Sequence, residues 1–181
     1  MSNQQEVEVS YDVSNDFFRL WLDEKMSYTC GLYEGTENLE EAQFKKHQWH
    51  AQAAHLDSSK RLLDIGCGWG ADIEHQVKVS GVRSAVGITL SSAQLEECAR
   101  RQVPNAEFLL CDYRDYAPKE KFDAVISLCM MEHIATPDQV REGKHIDMYR
   151  DYFRRAWEWT NPGAYFGLQT ILRNRVPRIK E

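Results

Sequence analysis

Short apolar runs alternate with helical stretches from Lys60 onward. The candidate helices cover Ala71–Ser80, Ser92–Gln102 and, after the start signal Thr136-Pro137, His145–Trp159. Strands that alternate with helices in this way indicate right-handed βαβ units and a parallel sheet covered on both faces. The pattern therefore predicts an α/β, doubly wound fold. Its candidate strands are Arg61–Ile65, Ser84–Ile88, Ala106–Cys111, Phe122–Leu128 and Ala164–Ile171.

The first third of the chain has a helical and aromatic pattern instead. Apolar residues recur at helical spacing over Tyr11–Leu22, behind possible caps at Ser14 and Asn15. A second helical stretch, Leu39–Leu56, carries four apolar residues on one side, namely Phe44, Trp49, Ala53 and Leu56. We expect one structural domain with two parts: a helical segment over residues 1–59 and a sheet core over residues 60–181.

Composition and charge exclude several classes of partner. The 181 residues carry a formal charge of −6 and contain no block of five like charges, which disfavours a nucleic-acid partner. The one basic concentration, Arg173–Lys180, is best explained as a solvated terminus. Apolar runs are far shorter than the ~20 residues that span a bilayer, so we expect no integral membrane contact.

The cysteines and histidines do not indicate a bound metal. Five widely spaced cysteines without a C-x-x-C pair, and without a secretory signal before them, predict a reducing cytoplasmic location. His47, His50 and His55 span more than two helical turns and lack a cysteine or carboxylate triad. No metal site is therefore predicted.

The most informative segment is Leu62–Gly70, where a G-x-G-x-G turn follows an apolar strand and precedes a helix. Glycines in such a turn let a ligand approach the backbone closely, and the following helix offers free N–H groups. Dinucleotide enzymes usually carry G-x-G-x-x-G and an acidic residue about 20 positions later. Here Gly87-Ile88-Thr89-Leu90-Ser91 ends the second strand without a carboxylate, which disfavours NAD. A purely structural turn is the alternative.

Five ordered motifs carry a resemblance to a known family. Together they resemble the cyclopropane fatty acid synthase family of the mycolic acid cyclopropane synthase type, over most of Tyr11–Glu132. This resemblance implies an S-adenosylmethionine-dependent methyltransferase with a Rossmann-like class I sheet in the strand order 3-2-1-4-5. Family members continue well past Glu181, so the last two strands of that sheet are expected to be absent from this chain. The motifs are Tyr11–Phe18, Met26–Cys30, Leu39–Gln43, Leu63–Gly70, and Val86–Ser91 with Gln94.

The resemblance also implies a helical cap over residues 1–59 that covers substrate and cofactor, a cofactor-binding core over residues 60–181, and which residues bind the cofactor. The methionine part would be held by Tyr28, by the glycine turn and by Asp64, which precedes the turn. The ribose would be held by two residues at the end of the second strand, and the adenine by two residues at the end of the third. These positions are Gly66, Gly68 and Gly70 for the turn, Thr89 and Gln94 for the ribose, and Asp112 and Tyr113 for the adenine.

Catalytic roles are implied for three further residues. Similar enzymes use a bound bicarbonate gripped by a Cys backbone, a Glu, a His and a Tyr; Cys30 and Glu132 match the first two. His133 is a possible second acid or base. Gln169 stands where the family has its His, and a neutral amide can bind but cannot act as a base. Cyclopropanation in the family uses the His at this position, which this sequence replaces with Gln169.

Three functional hypotheses follow. The first is methyl transfer to a carbon centre of a lipid or natural-product-like small molecule. The second is O- or N-methylation of a small molecule on the same scaffold, where the acceptor loses its own proton. The third is a non-catalytic S-adenosylmethionine-binding module that assembles with a second chain. A homo-oligomer or a missing C-terminal segment would complete the sheet.

Overall fold

The computed structural model describes residues 9–172 and contains a five-stranded sheet in the order β3-β2-β1-β4-β5. Every pair of neighbouring strands is parallel. The predicted α/β fold class and strand order are confirmed, and the topology is that of a Rossmann-like methyltransferase sheet. The strands are β1 (Arg61–Ile65), β2 (Ser84–Thr89), β3 (Ala106–Leu110), β4 (Phe122–Leu128) and β5 (Thr160–Gln169).

Helices cover the sheet and precede it. Local capping residues set where several of them begin: the Asn38 side chain accepts from Glu41 N at 3.0 Å, and Thr136 forms a capping box with Gln139. A single 3₁₀ turn, Met131–His133, follows β4. The helices are α1 (Asn15–Arg19), α2 (Leu39–Ala53), α3 (Ala71–Lys78), α4 (Ser92–Arg100), α5 (Pro137–Arg141) and α6 (His145–Glu158).

Two apolar clusters cover the two faces of the sheet. Leu62 packs in one cluster with Ile73 of α3, whereas Leu63 packs in the other with Tyr152 of α6. Successive side chains of a strand point to opposite faces, so a strand buried on both sides is mostly apolar. This explains why the strands were recognisable as short, mostly apolar runs.

Most predicted bounds shift by one to three residues, and two elements differ more. Only Asn15–Arg19 of the predicted helix Tyr11–Leu22 belongs to α1, with Ser14 as its N-cap. Strand β5 begins at Thr160 rather than Ala164, because Thr160 pairs with Phe122 before a register shift. That pairing depends on a distant strand, so the local pattern did not reveal it.

The N-terminal residues pack against the sheet domain through polar contacts. Trp69 Nε1 donates to Asn15 Oδ1 at 2.7 Å, and Arg19 pairs with Glu97 at 2.5 Å. The division at residue 59 remains a prediction, and the basic tail Arg173–Lys180 lies outside the described residues. Within residues 9–172, no helix has the length and apolar character needed to cross a membrane.

Candidate functional site

A short turn joins β1 to α3 and bends at three glycines. Gly66, Gly68 and Gly70 have φ values of 81°, 55° and 82°, which glycine adopts without strain. A Cβ at Gly66 would lie 2.8 Å from Met130 Cγ, and one at Gly70 would lie 3.0 Å from Cys98 Sγ. A Cβ at Gly68 would meet no described atom within 4 Å. Packing therefore requires glycine at the first and third positions, whereas the middle glycine borders open space.

That open space is part of a cavity of about 820 Å³. It lies at the carboxyl ends of the parallel strands, where open α/β sheets bind ligands. Gly70 is the N-cap of α3 and does not line the cavity. Its contact with the cofactor remains a prediction. The other predicted site residues all line it: Tyr28, Cys30, Asp64, Gly66, Gly68, Thr89, Gln94, Asp112, Tyr113, Glu132 and His133.

Aromatic rings form the wall beside the glycine turn. The ring centroids of Phe18 and Trp69 lie 4.8 Å apart, those of Trp21 and Tyr28 lie 5.0 Å apart, and Tyr11 lies 6.0 Å from Tyr28. Aromatic faces attract cations and exclude water. This wall therefore suits a ligand that carries both apolar surface and positive charge.

Asp64, in β1 just ahead of the glycine turn, is a buried carboxylate that faces the cavity. Its side chain is 2% exposed, and Oδ1 has no hydrogen-bond partner among the described residues. Burial, followed by the negative charge of Asp72, raises the pKa of Asp64 well above its ordinary value. An unpaired buried carboxyl oxygen is costly without a ligand, so Asp64 is placed to bind a donor group in the cavity.

Thr89 and Gln94 form a fixed pair at the end of β2. Thr89 Oγ1 donates to Gln94 Oε1 at 2.7 Å, and Ser91 Oγ caps α4 by accepting from Gln94 N at 3.1 Å. Because the carbonyl end of the Gln94 amide is already bound, its nitrogen is the end that can donate to a ligand. The structure thus leaves the amide nitrogen of Gln94, a cavity-lining residue, as the free donor of this pair.

Asp112 and Tyr113 follow β3 and differ in their surroundings. Burial opposes ionisation of Asp112, but hydrogen bonds from Arg114 lower its pKa; the Arg114 backbone N lies 2.8 Å away and its Nε 2.9 Å away. The Tyr113 ring is buried and packs edge-on against Tyr152 at 5.3 Å. Asp112 is thus an ionised, oriented carboxylate beside an aromatic surface.

Glu132 and His133 lie in the 3₁₀ turn after β4. Glu132 Oε1 accepts from Ile171 N at 2.6 Å, while its Oε2 is buried with no hydrogen-bond partner among the described residues. The Cys129 thiol lies beside it, and burial together with the Glu132 charge raises the pKa of Cys129 to about 12. His133 Nε2 lies 3.1 Å from the Tyr11 hydroxyl. Glu132 is therefore a cavity-lining carboxylate with one oxygen held by Ile171 N and the other buried near the Cys129 thiol.

Cys30 and Gln169 are joined by a hydrogen bond. Gln169 Nε2 donates to Cys30 O at 3.2 Å, and Gln169 Oε1 lies 3.3 Å from His50 Nε2. Neither Gln169 nor His50 lines the cavity, although Cys30 does. The amide at the end of β5 therefore holds the Cys30 loop, and the nearest imidazole, His50, stands behind it on α2.

Sequence reasoning missed the polar inner face of α2. The apolar side predicted for this helix faces solvent, with Phe44 43% and Trp49 53% exposed. The signal was present, because the four buried polar residues recur at helical spacing; they are Gln43, Lys46, His47 and His50. Of these, Lys46 and His47 line the cavity, as does Asp72 of α3. Within residues 9–172, no group of three or more His, Cys, Asp or Glu side chains is arranged to hold a metal.

Comparison with known proteins agrees with this geometry. The sequence profile described as mycolic acid cyclopropane synthetase matches residues 1–181. The chain is 37% identical over 146 residues to a probable fatty acid methyltransferase of Pseudomonas putida, a match that covers 74% of this chain and 35% of that protein. It is 33% identical over 162 residues to the cyclopropane-fatty-acyl-phospholipid synthase of Escherichia coli K12, covering 89% and 39%.

Solved structures show the same relationship. The cyclopropane synthase MmaA2 of Mycobacterium tuberculosis superposes with a TM-score of 0.81 at 31% identity, covering 92% of this chain and 56% of that one. The mycolic acid cyclopropane synthase CmaA1, in complex with SAH and CTAB, gives 0.75 at 28% identity, covering 88% and 53%. The chain thus spans 35% to 56% of the length of these four proteins. It belongs to the mycolic acid cyclopropane synthetase family.

Proposed function

We propose that this chain is the cofactor-binding part of an S-adenosylmethionine-dependent methyltransferase that acts on a carbon centre of a lipid or natural-product-like small molecule. The observation that carries the proposal is the open space at Gly68, which lies in one cavity with an aromatic wall and the Glu132 carboxylate. Relatives named as a fatty acid methyltransferase and a cyclopropane-fatty-acyl-phospholipid synthase support a lipid acceptor.

The residues of the cavity fit the cofactor. Gly68 leaves room for close approach, and Asp64 offers an unpaired buried oxygen to the amino group of the methionine part. The Gln94 amide nitrogen can donate to a ribose hydroxyl, and the Asp112–Tyr113 pair provides a carboxylate and a ring for the adenine. Tyr28 and its aromatic neighbours would face the sulfonium.

S-adenosylmethionine, when bound, supplies an electrophilic methyl group that is transferred by in-line displacement. The protein contributes alignment and exclusion of water. The aromatic wall would exclude water from the bound cofactor, and Glu132, the carboxylate that lines the cavity after β4, would accept a proton from the acceptor. Bicarbonate binding by Cys30 and Glu132 stays a prediction. Both residues line the cavity, but Gln169, at the position of the expected His, contacts the Cys30 carbonyl and His50 instead.

O- or N-methylation of a small molecule is the second candidate, and the orientation of Gln169 favours it. The amide does not line the cavity and cannot act as a base, so an acceptor that brings its own acidic proton needs only Glu132 or His133. A trideuteromethyl cofactor separates the possible products. Simple methylation retains three deuterium atoms in the product, whereas ring closure retains two.

Cofactor affinity tests the proposed function directly. We expect micromolar binding of S-adenosylhomocysteine by isothermal titration calorimetry, and a loss of at least tenfold in Gly68→Ala because the added methyl enters the cavity. Gly81→Ala is the matched control: Gly81 also has a positive φ, 71°, and open space around it, but it does not line the cavity. Both variants carry the same kind of backbone strain.

Equal affinities in the two variants would refute the cofactor site. Tight binding without turnover on any lipid or small-molecule acceptor would leave the non-catalytic module as the explanation. A stable complex with a second polypeptide would then be expected, and size-exclusion chromatography would detect it.

A further inference from the structure

The inner face of α2 buries a lysine in the cavity wall. Lys46 is 4% exposed, lines the cavity, and lies beside Gln43 on the same helix. Buried lysines are rare unless they are paired or functional. The mechanism described above does not use Lys46, so its burial requires an explanation.

Two hydrogen bonds fix the Lys46 amine, and their direction is determined. Lys46 Nζ donates to Thr29 Oγ1 at 2.7 Å and to Gln43 Oε1 at 2.6 Å. Gln43 Nε2 donates to Ser27 O at 3.2 Å and Thr29 O at 2.8 Å, which leaves Gln43 Oε1 as an acceptor only. Lys46 must therefore donate one N–H to Gln43 in any protonation state.

The two protonation states of Lys46 differ only at the position of Nζ that is not hydrogen-bonded to Thr29 or Gln43. An ammonium group has three N–H donors, whereas a neutral amine has two donors and one lone pair. Both forms can keep the bonds to Thr29 and Gln43. Lys46 can therefore gain or lose a proton at the third position without rearranging the loop that carries Tyr28 and Cys30.

The charges around Lys46 come from several elements. Asp23 lies after α1, Asp64 in β1, Asp72 in α3 and Cys129 after β4, and His47 and His50 share its helix. Burial lowers the pKa of Lys46 to about 8, and the surrounding carboxylates only partly oppose this effect. Both forms of the side chain are therefore populated near pH 8.

We propose that Lys46 is a proton-exchanging residue of the methyl-transfer cavity, which releases its proton when a positively charged methyl donor occupies the cavity and takes one back after methyl transfer. This inference rests on the proposed function. The reason is electrostatic: two positive charges repel strongly in a partly desolvated cavity. Loss of one proton from Lys46 keeps the net charge of the cavity constant as the sulfonium enters.

The cycle balances in protons and charge. As the donor binds, the Lys46 ammonium gives one proton to solvent and becomes an amine. Methyl transfer removes the positive charge from the sulfur. The Lys46 lone pair then accepts a proton from solvent, and the ammonium is restored.

Proton release on binding is the measurement that tests this proposal. Calorimetric titration with S-adenosylmethionine at pH 8, in phosphate and in Tris, gives the number of protons released. The amino group of the donor also titrates near this pH, so the difference between wild type and Lys46→Arg is the informative quantity. We expect wild type to release roughly half a proton more than Lys46→Arg, because about half of Lys46 is protonated at its pKa.

Lys45→Met is the matched control on the same helix. Lys45 Nζ donates to Glu34 O at 3.0 Å and pairs with Glu41, and Lys45 does not line the cavity. Its variant should release as many protons as wild type. S-adenosylhomocysteine, which lacks the sulfonium charge, should show a much smaller difference between wild type and Lys46→Arg.

Equal proton release by wild type and Lys46→Arg would overturn the proposal. Should Lys46→Arg not fold, the ¹³Cε signal of Lys46 in wild type gives the same answer: it should move to the amine position with S-adenosylmethionine and not with S-adenosylhomocysteine. An unmoved signal with bound donor would refute the role of Lys46. Failure of wild type to bind either compound would instead refute the proposed function.

Discussion

His47 Nδ1 lies 2.6 Å from Asp72 Oδ1, and this buried pair connects α2 to the first turn of α3, directly behind the glycine turn. Asp72 Oδ1 also accepts from Gln76 Nε2 at 3.0 Å, and His47 Nε2 lies 3.2 Å from Ser27 Oγ. A continuous polar network thus links the loop that carries Tyr28 to the helix that follows the glycines. Its geometry fixes the relative position of two walls of the cavity.

Removal of the charge in this network should be strongly destabilising. Asp72→Asn is expected to lower the free energy of unfolding at pH 7 by about 3 kcal/mol, because it breaks a buried, hydrogen-bonded pair. Urea denaturation followed by circular dichroism measures the change. Asp16→Asn removes an exposed pair with Arg19 and should cost less than a third as much. Similar losses in both variants would contradict the assigned role of Asp72.

His75 should make the protein less stable in mild acid. Burial, followed by the charge of His47, lowers the pKa of His75 from 6.5 to about 4. Between those values the unfolded chain binds a proton that the folded protein does not, so stability falls as pH falls from 6.5 to 4, by at most about 1.4 kcal/mol per pH unit for this group.

His75→Leu should reduce that pH dependence. The buried Nε2 of His75 has no hydrogen-bond partner among the described residues, so an apolar replacement leaves no polar group unpaired. Thermal unfolding at pH 5 and pH 8 measures the effect: the difference between the two melting temperatures should be smaller in the variant than in wild type. An unchanged difference would show that other groups cause the acid sensitivity.

Thr89→Val should weaken cofactor binding through Gln94. The substitution removes the hydroxyl that donates to Gln94 Oε1 and so releases the amide orientation. We expect a loss of roughly fivefold to tenfold in affinity for S-adenosylhomocysteine, the value of one hydrogen bond, measured by calorimetry. Thr160→Val is the control, because Thr160 bonds the Ala156 and Trp157 carbonyls at the far end of β5. A larger loss in the control would contradict the prediction.

Glu132→Gln should separate catalysis from binding. Its amide oxygen can still accept from Ile171 N, but the group no longer accepts a proton at Oε2. Turnover is expected to fall by about 10²-fold or more, with unchanged affinity for S-adenosylhomocysteine. Glu142→Gln, which alters an exposed pair with Lys144, should leave turnover unchanged. Full activity in Glu132→Gln would exclude Glu132 as the proton acceptor.

Local patterns predicted the sheet and the glycine turn well. Strands β1 and β4 have the predicted bounds, since each is mostly buried and mostly apolar, with Asp64 and Ser127 as buried polar exceptions. The turn was recognisable because its three glycines reflect a backbone requirement that acts within a few residues. Packing at Gly70, by contrast, depends on Cys98 and Phe108, which are distant in sequence.

The sequence by itself therefore determined the strands and the glycine turn, because strand burial and glycine conformation are properties of short segments, whereas the strand order and most of the cavity residues were implied by the family resemblance. Only the tertiary structure decided which side of α2 faces inward, where Gln169 points, and that Lys46 and the His47–Asp72 pair stand in or behind the cavity wall. A helix pattern indicates burial when its neighbours are apolar. Here the inward face of α2 meets the polar groups of Thr29, Asp72 and Gln169, so that face is polar while Phe44 and Trp49 are exposed.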